Sequence, residues 1–181
     1  MVLTNKQEQG LKIAIDRYKN NERFTVISGY AGTGKSTLVK YLIAALNVRE
    51  DDVCYAAFTG KAAQVLLKKG NKNVSTLHKL LFEHFPKPDG GFLRKPVADI
   101  PYDIVIVDEC SMAPKELVKQ LLRYPVYVIF LGDPGQLPPI NPEDDNHLLD
   151  NPHVFLDEIM RQAAESEIIR LTMDIRGGKP L

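Results

Sequence analysis

Hydrophobic residues fall along this chain in two alternating rhythms. Leu3, Leu11, Ala14, Ile15 and Tyr18 recur at helical spacing and predict an amphipathic helix that ends near Asn20-Asn21. Phe24 to Ser28 is a short β-rich run that stops at Gly29, and Ser36 to Leu46 predicts a buried helix. The alternation then repeats. Val53 to Phe58 predicts a strand, Ala62 to Lys69 a helix closed by Gly70, and Asp103 to Val107 an almost wholly apolar strand. Pro114 opens a helix toward Arg123, Val126 to Leu131 is a fourth strand, Val154-Phe155-Leu156 a short fifth, and Glu165 to Arg176 a last helix. Strands that are apolar throughout and alternate with helices predict an α/β fold: a parallel sheet covered on both faces.

One stretch breaks the rhythm. Between His84 and Pro101 lie Pro86, Pro88, Gly90, Gly91 and Pro96, with Asp89-Gly90 as a hairpin-turn signal. A small β-hairpin inserted over residues 84–101 is expected there. The chain shows no internal repeats and no low-complexity segment.

Composition narrows the classes. A chain of 181 residues suits one domain with a small insertion, and 44% apolar with 25% charged residues is a globular balance. Lys plus Arg and Asp plus Glu both number 23, so the formal net charge is zero and any nucleic acid must be held by a local surface. The two cysteines, Cys54 and Cys110, sit in apolar runs without a CxxC pairing, which predicts buried free thiols in a reducing cytoplasm. No apolar run approaches the roughly 20 residues that span a bilayer, and the N-terminus has no signal-peptide pattern, so no membrane role is expected.

Candidate chemistry enters at the strand ends. Gly29-Tyr30-Ala31-Gly32-Thr33-Gly34-Lys35-Ser36 matches GxxxxGK[ST], strand before and helix after. Glycines let successive N–H groups converge on one point, and the following helix N-terminus adds partial positive charge. In this reading Lys35 reaches the β- and γ-phosphates of ATP, and the Ser36 hydroxyl ligates Mg²⁺. Asp108-Glu109 follows the apolar run Ile104-Val105-Ile106-Val107. Alone the pair would read as a solvated turn; beside a phosphate loop, Asp108 becomes a metal-holding acid and Glu109 the group that polarises water. Gly132-Asp133-Pro134-Gly135-Gln136-Leu137-Pro138-Pro139 leaves the next strand in the same manner, with Gln136 placed for the γ-phosphate or water; a plain Pro/Gly turn is the competing reading.

The series GYAGTGKST, FTGKAA, STLHKLL, VDECSM, GDPGQLPPI and MRQAAES, collinear from Leu3 to Gly178, resembles superfamily 1 helicases of the RecD-like and Dda-like branch. That resemblance implies a RecA-like P-loop NTPase fold, ATP and Mg²⁺ as ligands, and 5′ to 3′ movement on single-stranded DNA. It extends the nucleotide loop, Gly29, Ala31, Gly32, Thr33, Gly34, Lys35 and Ser36, through Thr37, and assigns Arg161 to the γ-phosphate. Gln7, in Leu3-Thr4-Asn5-Lys6-Gln7, would read the adenine, although Thr4-x-x-Gln7 also fits a helix capping box. Thr59, Gly60 and Lys61, then Thr76 and His78, would contact DNA. The hairpin would be the strand-separating pin, with Phe85 and Phe92 either stacked on a base at the duplex junction or packed internally. The branch further implies a monomer that works in the cytoplasm of a bacterial or phage-infected cell, with a second RecA-like domain that this chain does not include. Two other classes compete: a P-loop ATPase that loads or switches partners without unwinding, and a small-molecule kinase. Neither has an evident use for the whole motif series.

Overall fold

The apolar runs assemble at the centre of a six-stranded sheet in which every described pairing is parallel. The structure is a computed structural model and describes residues 3–87, 90–136 and 141–158. In chain order the elements are α1 (Asn5–Lys19), β1 (Phe24–Gly29), α2 (Lys35–Leu46), β2 (Val53–Ala57), α3 (Gly60–Lys68), β3 (Val74–Thr76), α4 (Leu77–Leu81), β4 (Phe82–Pro86), β5 (Phe92–Pro96), β6 (Ile104–Asp108), α5 (Lys115–Leu121), β7 (Tyr127–Gly132) and β8 (Val154–Leu156). The sheet runs β3-β2-β6-β7-β1-β8, so the crossover through α2 carries the chain from β1 past β7 and β6 to β2. That is the topological switch point at which α/β sheets bind ligands, on the side where the strands end.

Both faces of the sheet are covered. Ile27, Ile104, Ile106 and Ile129 face α1 and α2 with Leu38 and Leu42. Val26, Val105, Val107 and Phe130 face the layer of α4 and α5 with Leu81, Leu117 and Leu121. A smaller cluster of Ala57, Ala63 and Leu66 seats α3 beside β2. Strands buried on both faces lose the polar alternation of a half-exposed sheet, which is why they read as unbroken apolar runs.

The predicted elements that fall on described residues recur with shifted ends, and two short ones were not predicted. β3 is three half-buried residues with no periodicity, and α4 is a five-residue helix capped by the Thr76 hydroxyl, which accepts the Lys79 N–H at 3.2 Å. The inserted hairpin starts earlier than residue 84 and ends before residue 101: pairing runs from Phe82↔Pro96 to Pro86↔Phe92. The Val97 N–H bonds to the Leu81 carbonyl at 3.0 Å, which anchors the base of the ribbon to the end of α4. Asp89, Arg161 and the predicted helix over 165–176 lie outside the described residues.

Candidate functional site

The phosphate loop is shaped by what its glycines lack. A Cβ on Gly29 would lie 2.6 Å from the Leu156 carbonyl oxygen and 2.8 Å from Thr33 Oγ1, so only a bare backbone passes between β8 and the loop. Gly32 and Gly34 both take φ 81°, the left-handed region open to glycine. Gly34 is the N-cap of α2 and supplies no side-chain acceptor, so no side-chain cap occupies the first-turn N–H groups of that helix. This is the arrangement that accepts a phosphate. The Lys35 ammonium reaches back over the loop, donating to the Gly29 carbonyl at 2.5 Å and the Tyr30 carbonyl at 3.1 Å. Ala31 and Ser36 are exposed, Thr37 is half-buried, and Thr33 is buried with its hydroxyl on the Tyr30 carbonyl at 2.8 Å.

Gln7 supports this loop from below. The capping box is formed: Thr4 Oγ1 accepts the Gln7 N–H, and Gln7 Oε1 accepts the Thr4 N–H at 3.0 Å. Gln7 Nε2 donates to the Thr33 carbonyl at 3.0 Å, and the residue is only 1% exposed. Of the two readings of Gln7, the structure shows the capping box, and the same side chain also holds the loop at Thr33. Next to it Lys6 pairs with Asp157, and Tyr30 packs edge-on against Phe155 at 5.7 Å, a contact no motif announced.

The acids arrive from the neighbouring strand. Asp108 ends β6 and lines with Ser36 a cavity of about 270 Å³ whose other walls include Lys40, Tyr55 and Lys69. A serine and an aspartate are residues of the type that supplies oxygen donors to Mg²⁺. Glu109 is exposed and left-handed at φ 51°, and its N–H bonds to Asp108 Oδ1 at 3.1 Å. Asp108 and Glu109 also line a second cavity of about 250 Å³ with Thr59 and Lys61, so the acids stand between the nucleotide loop and a candidate DNA-contacting turn. Gln136 leaves the end of β7 in a turn closed by Asp133, whose Oδ1 accepts the Gly135 N–H at 2.8 Å. It lies in a third cavity of about 230 Å³ with Ser111 and Asn146.

The candidate nucleic-acid residues occupy the same carboxyl edge, on the side of β2 and β3. Thr59 caps α3 through the Ala62 N–H at 3.2 Å, Gly60 opens that helix, and Lys61 is exposed. Thr76 caps α4, so its hydroxyl has a structural task as well. His78 lies between Phe58 and Phe82, with ring centroids 5.8 and 6.5 Å away, and His84 meets Phe92 at 6.5 Å. Burial, then the charges of Arg94 and His84, hold the His78 imidazole below its ordinary value, so it favours the neutral ring. Phe85 and Phe92 are 42% and 68% exposed, which removes internal packing as their reading. They occupy successive pairs of the hairpin and therefore opposite faces, Phe85 under the Lys95 ammonium at 5.3 Å. Both cysteines are buried and free, each thiol pushed up to about 12 by burial, which makes them inert.

The sequence matches the AAA domain family over residues 3–181. It is 34% identical over 162 residues to the ATP-dependent RecD2 DNA helicase of Deinococcus radiodurans, a match covering 87% of this chain and 22% of that protein. It is 31% identical over 200 residues to the ATP-dependent DNA helicase dda of Enterobacteria phage T4, covering 98% of this chain and 43% of that one. Among solved structures, a Bacteroides Pif1 bound to single-stranded DNA superposes with a TM-score of 0.62 at 23% identity, covering 100% of this chain and 47% of that one, a likeness of fold. The chain spans less than half the length of these relatives. Among the described residues no helix is long and apolar enough to cross a membrane.

Proposed function

The chain belongs to the AAA domain family, on the RecD-like and Dda-like branch of the superfamily 1 helicases, and from this we propose that it is the first motor domain of an ATP-driven DNA helicase. Nucleotide binding is the property that its family and its P-loop carry. The observation that supports the motor reading best is the cavity shared by Ser36, at the end of the phosphate loop, and Asp108, at the end of β6.

In this proposal the first-turn N–H groups of α2 and the Lys35 ammonium hold the β- and γ-phosphates of ATP. The Ser36 hydroxyl and the Asp108 carboxylate would hold Mg²⁺, which when bound neutralises charge on the transferred phosphoryl group. Glu109, exposed at that edge, orients the attacking water and accepts its proton. Gln136 and Arg161 report on the γ-phosphate, and Gln7 offers the adenine whatever hydrogen-bonding capacity its loop contacts leave. Single-stranded DNA would run over Thr59, Gly60, Lys61 and Thr76 toward the Phe58-His78-Phe82 row, where rings can stack on bases. The β4–β5 hairpin would stand at the duplex junction as the pin. A second RecA-like domain would close on the nucleotide from the open side and supply the other grip on DNA, giving 5′ to 3′ steps.

The test is a polypeptide that joins this chain to a second motor domain, assayed on single-stranded and forked DNA. Hydrolysis stimulated at least about ten-fold by single strands, together with unwinding, is expected. Nucleotide binding without DNA stimulation would instead favour the loader or switch reading.

A further inference from the structure

We propose that Asn146 is a positioning residue for Glu109: it clamps the turn that carries this carboxylate to the loop around residues 146–149. The inference deepens the ATPase reading above and rests on it.

Glu109 sits in a left-handed conformation that residues with a side chain rarely adopt, and something outside it must hold it there. It is followed by a single 3₁₀ turn, Cys110–Met112, closed by the Met112 N–H on the Glu109 carbonyl and the Ala113 N–H on the Cys110 carbonyl, both at 3.1 Å. One turn of that kind has little rigidity of its own. Asn146 supplies the rest. Its Nδ2 donates to the Cys110 carbonyl at 2.7 Å and to the Ala113 carbonyl at 2.7 Å, the two ends of the turn. Its Oδ1 accepts the Leu148 N–H at 3.0 Å, which fixes the amide on its own loop. Both amide hydrogens and one acceptor site are therefore engaged, a set that Asp cannot reproduce because it lacks the donors.

The same loop reaches the Gln136 turn. A Cβ on Gly132 would lie 2.6 Å from Leu149 Cδ2 and 3.0 Å from Cys110 Sγ, so Leu149 and Cys110 lie against the bare backbone where β7 ends. From Gly132 the chain enters the Asp133–Gln136 turn. Ser111, Asp133, Gln136 and Asn146 line one cavity between the two turns. Residues 146–149 thus touch the Glu109 turn by hydrogen bonds and, by packing, the end of β7 from which the Gln136 turn departs.

Asn146→Ala and Asn146→Asp, in the two-domain polypeptide, test the clamp by three measurements. Amide hydrogen exchange at Met112 and Ala113 is expected to rise at least about ten-fold in both variants, with residues 24–36 unchanged. Affinity for a fluorescent ADP analogue is expected to stay within about two-fold, while kcat falls about 10- to 100-fold at constant KM, as for a misplaced catalytic group. In a Glu109→Gln background, Asn146→Ala is expected to cost no further activity, because the group it positions is already removed. Unchanged exchange at the turn overturns the clamp whether or not the protein hydrolyses ATP. Raised exchange with intact kcat, an additive double variant, or a parallel loss of ADP affinity and melting temperature overturns the positioning role. An unmodified polypeptide that binds ADP and hydrolyses nothing defeats the ATPase reading and, with it, the positioning role, while exchange still decides the clamp.

Discussion

In the nucleotide site proposed above Lys35 and Glu109 have different tasks, and single substitutions separate them. Lys35 bridges two carbonyls of its own loop, so its ammonium is held over that loop, where the proposal puts the phosphates. Lys35→Ala is expected to abolish measurable hydrolysis and to weaken nucleotide affinity at least ten-fold or so, read by titration with a fluorescent ADP analogue. Glu109 makes no such contact with the loop; it is exposed, with its N–H turned onto Asp108. Glu109→Gln is therefore expected to bind nucleotide normally while turnover falls about 10²- to 10⁴-fold, the range for a lost general base. Normal turnover in this variant would move the water-activating role to another group. Glycine matters at this scale for opposite reasons: Gly29 has backbone within 2.6 Å of where a side chain would begin, whereas Gly60, at the start of α3, has nothing within 4 Å. A loss of DNA affinity in Gly60→Ala would thus report on contact with DNA and not on a disturbed fold.

Among the elements, β8 is the edge of the sheet and depends on a histidine. The Val26 N–H donates to His153 Nδ1 at 2.9 Å, a bond that requires that nitrogen to be unprotonated. Burial, then the nearby Arg17 charge, lowers the His153 pKa below its ordinary 6.5. The unfolded chain then binds the proton more readily than the folded one, so stability is full above about pH 6.5 and declines as pH falls through the interval below it. His78 is shifted the same way and adds a slope of the same sign. Thermal melts between pH 7.5 and 5 are expected to show this decline, shallower in His153→Gln. The hairpin is the other element with a separable task. Its strands β4 and β5 pair with each other and not with the main sheet, so shortening the turn at Gly90-Gly91 is expected to leave single-strand-stimulated hydrolysis within about two-fold and to abolish unwinding of a fork. A joint loss of both would make the hairpin a structural support.

Legibility in the sequence also varied by element. The places of the glycine-rich loop and of Asp108-Glu109 were readable because each follows directly on an apolar strand. β3 and α4 were not, since three and five residues are too few to display a period. Asn146 was invisible for another reason: its partners are carbonyls 36 and 33 residues away, and a carbonyl leaves no mark on residue type. Phe85 and Phe92 could be read as aromatic but not as exposed, because only the pairing of β4 with β5 settles their faces.

At the scale of the whole molecule, formal neutrality and an open nucleotide site set the expectation. The 181-residue chain alone is expected to bind nucleotide but to show little or no DNA-stimulated hydrolysis, because the proposed second domain would supply half of each site; robust stimulation would contradict that division. The strand order has a further consequence, for how the protein is made. β1, which ends in the phosphate loop, has β7 and β8 as neighbours, and Val26 meets His153 across 127 residues of chain. Contacts so distant in sequence form slowly. A ribosome delivering this chain exposes an apolar β1 with both flanks unpaired until β7 and then β8 emerge. The proposed phosphate loop is thus synthesised well before the two strands that flank β1 and lock it, and it stays open to non-native contacts for that interval.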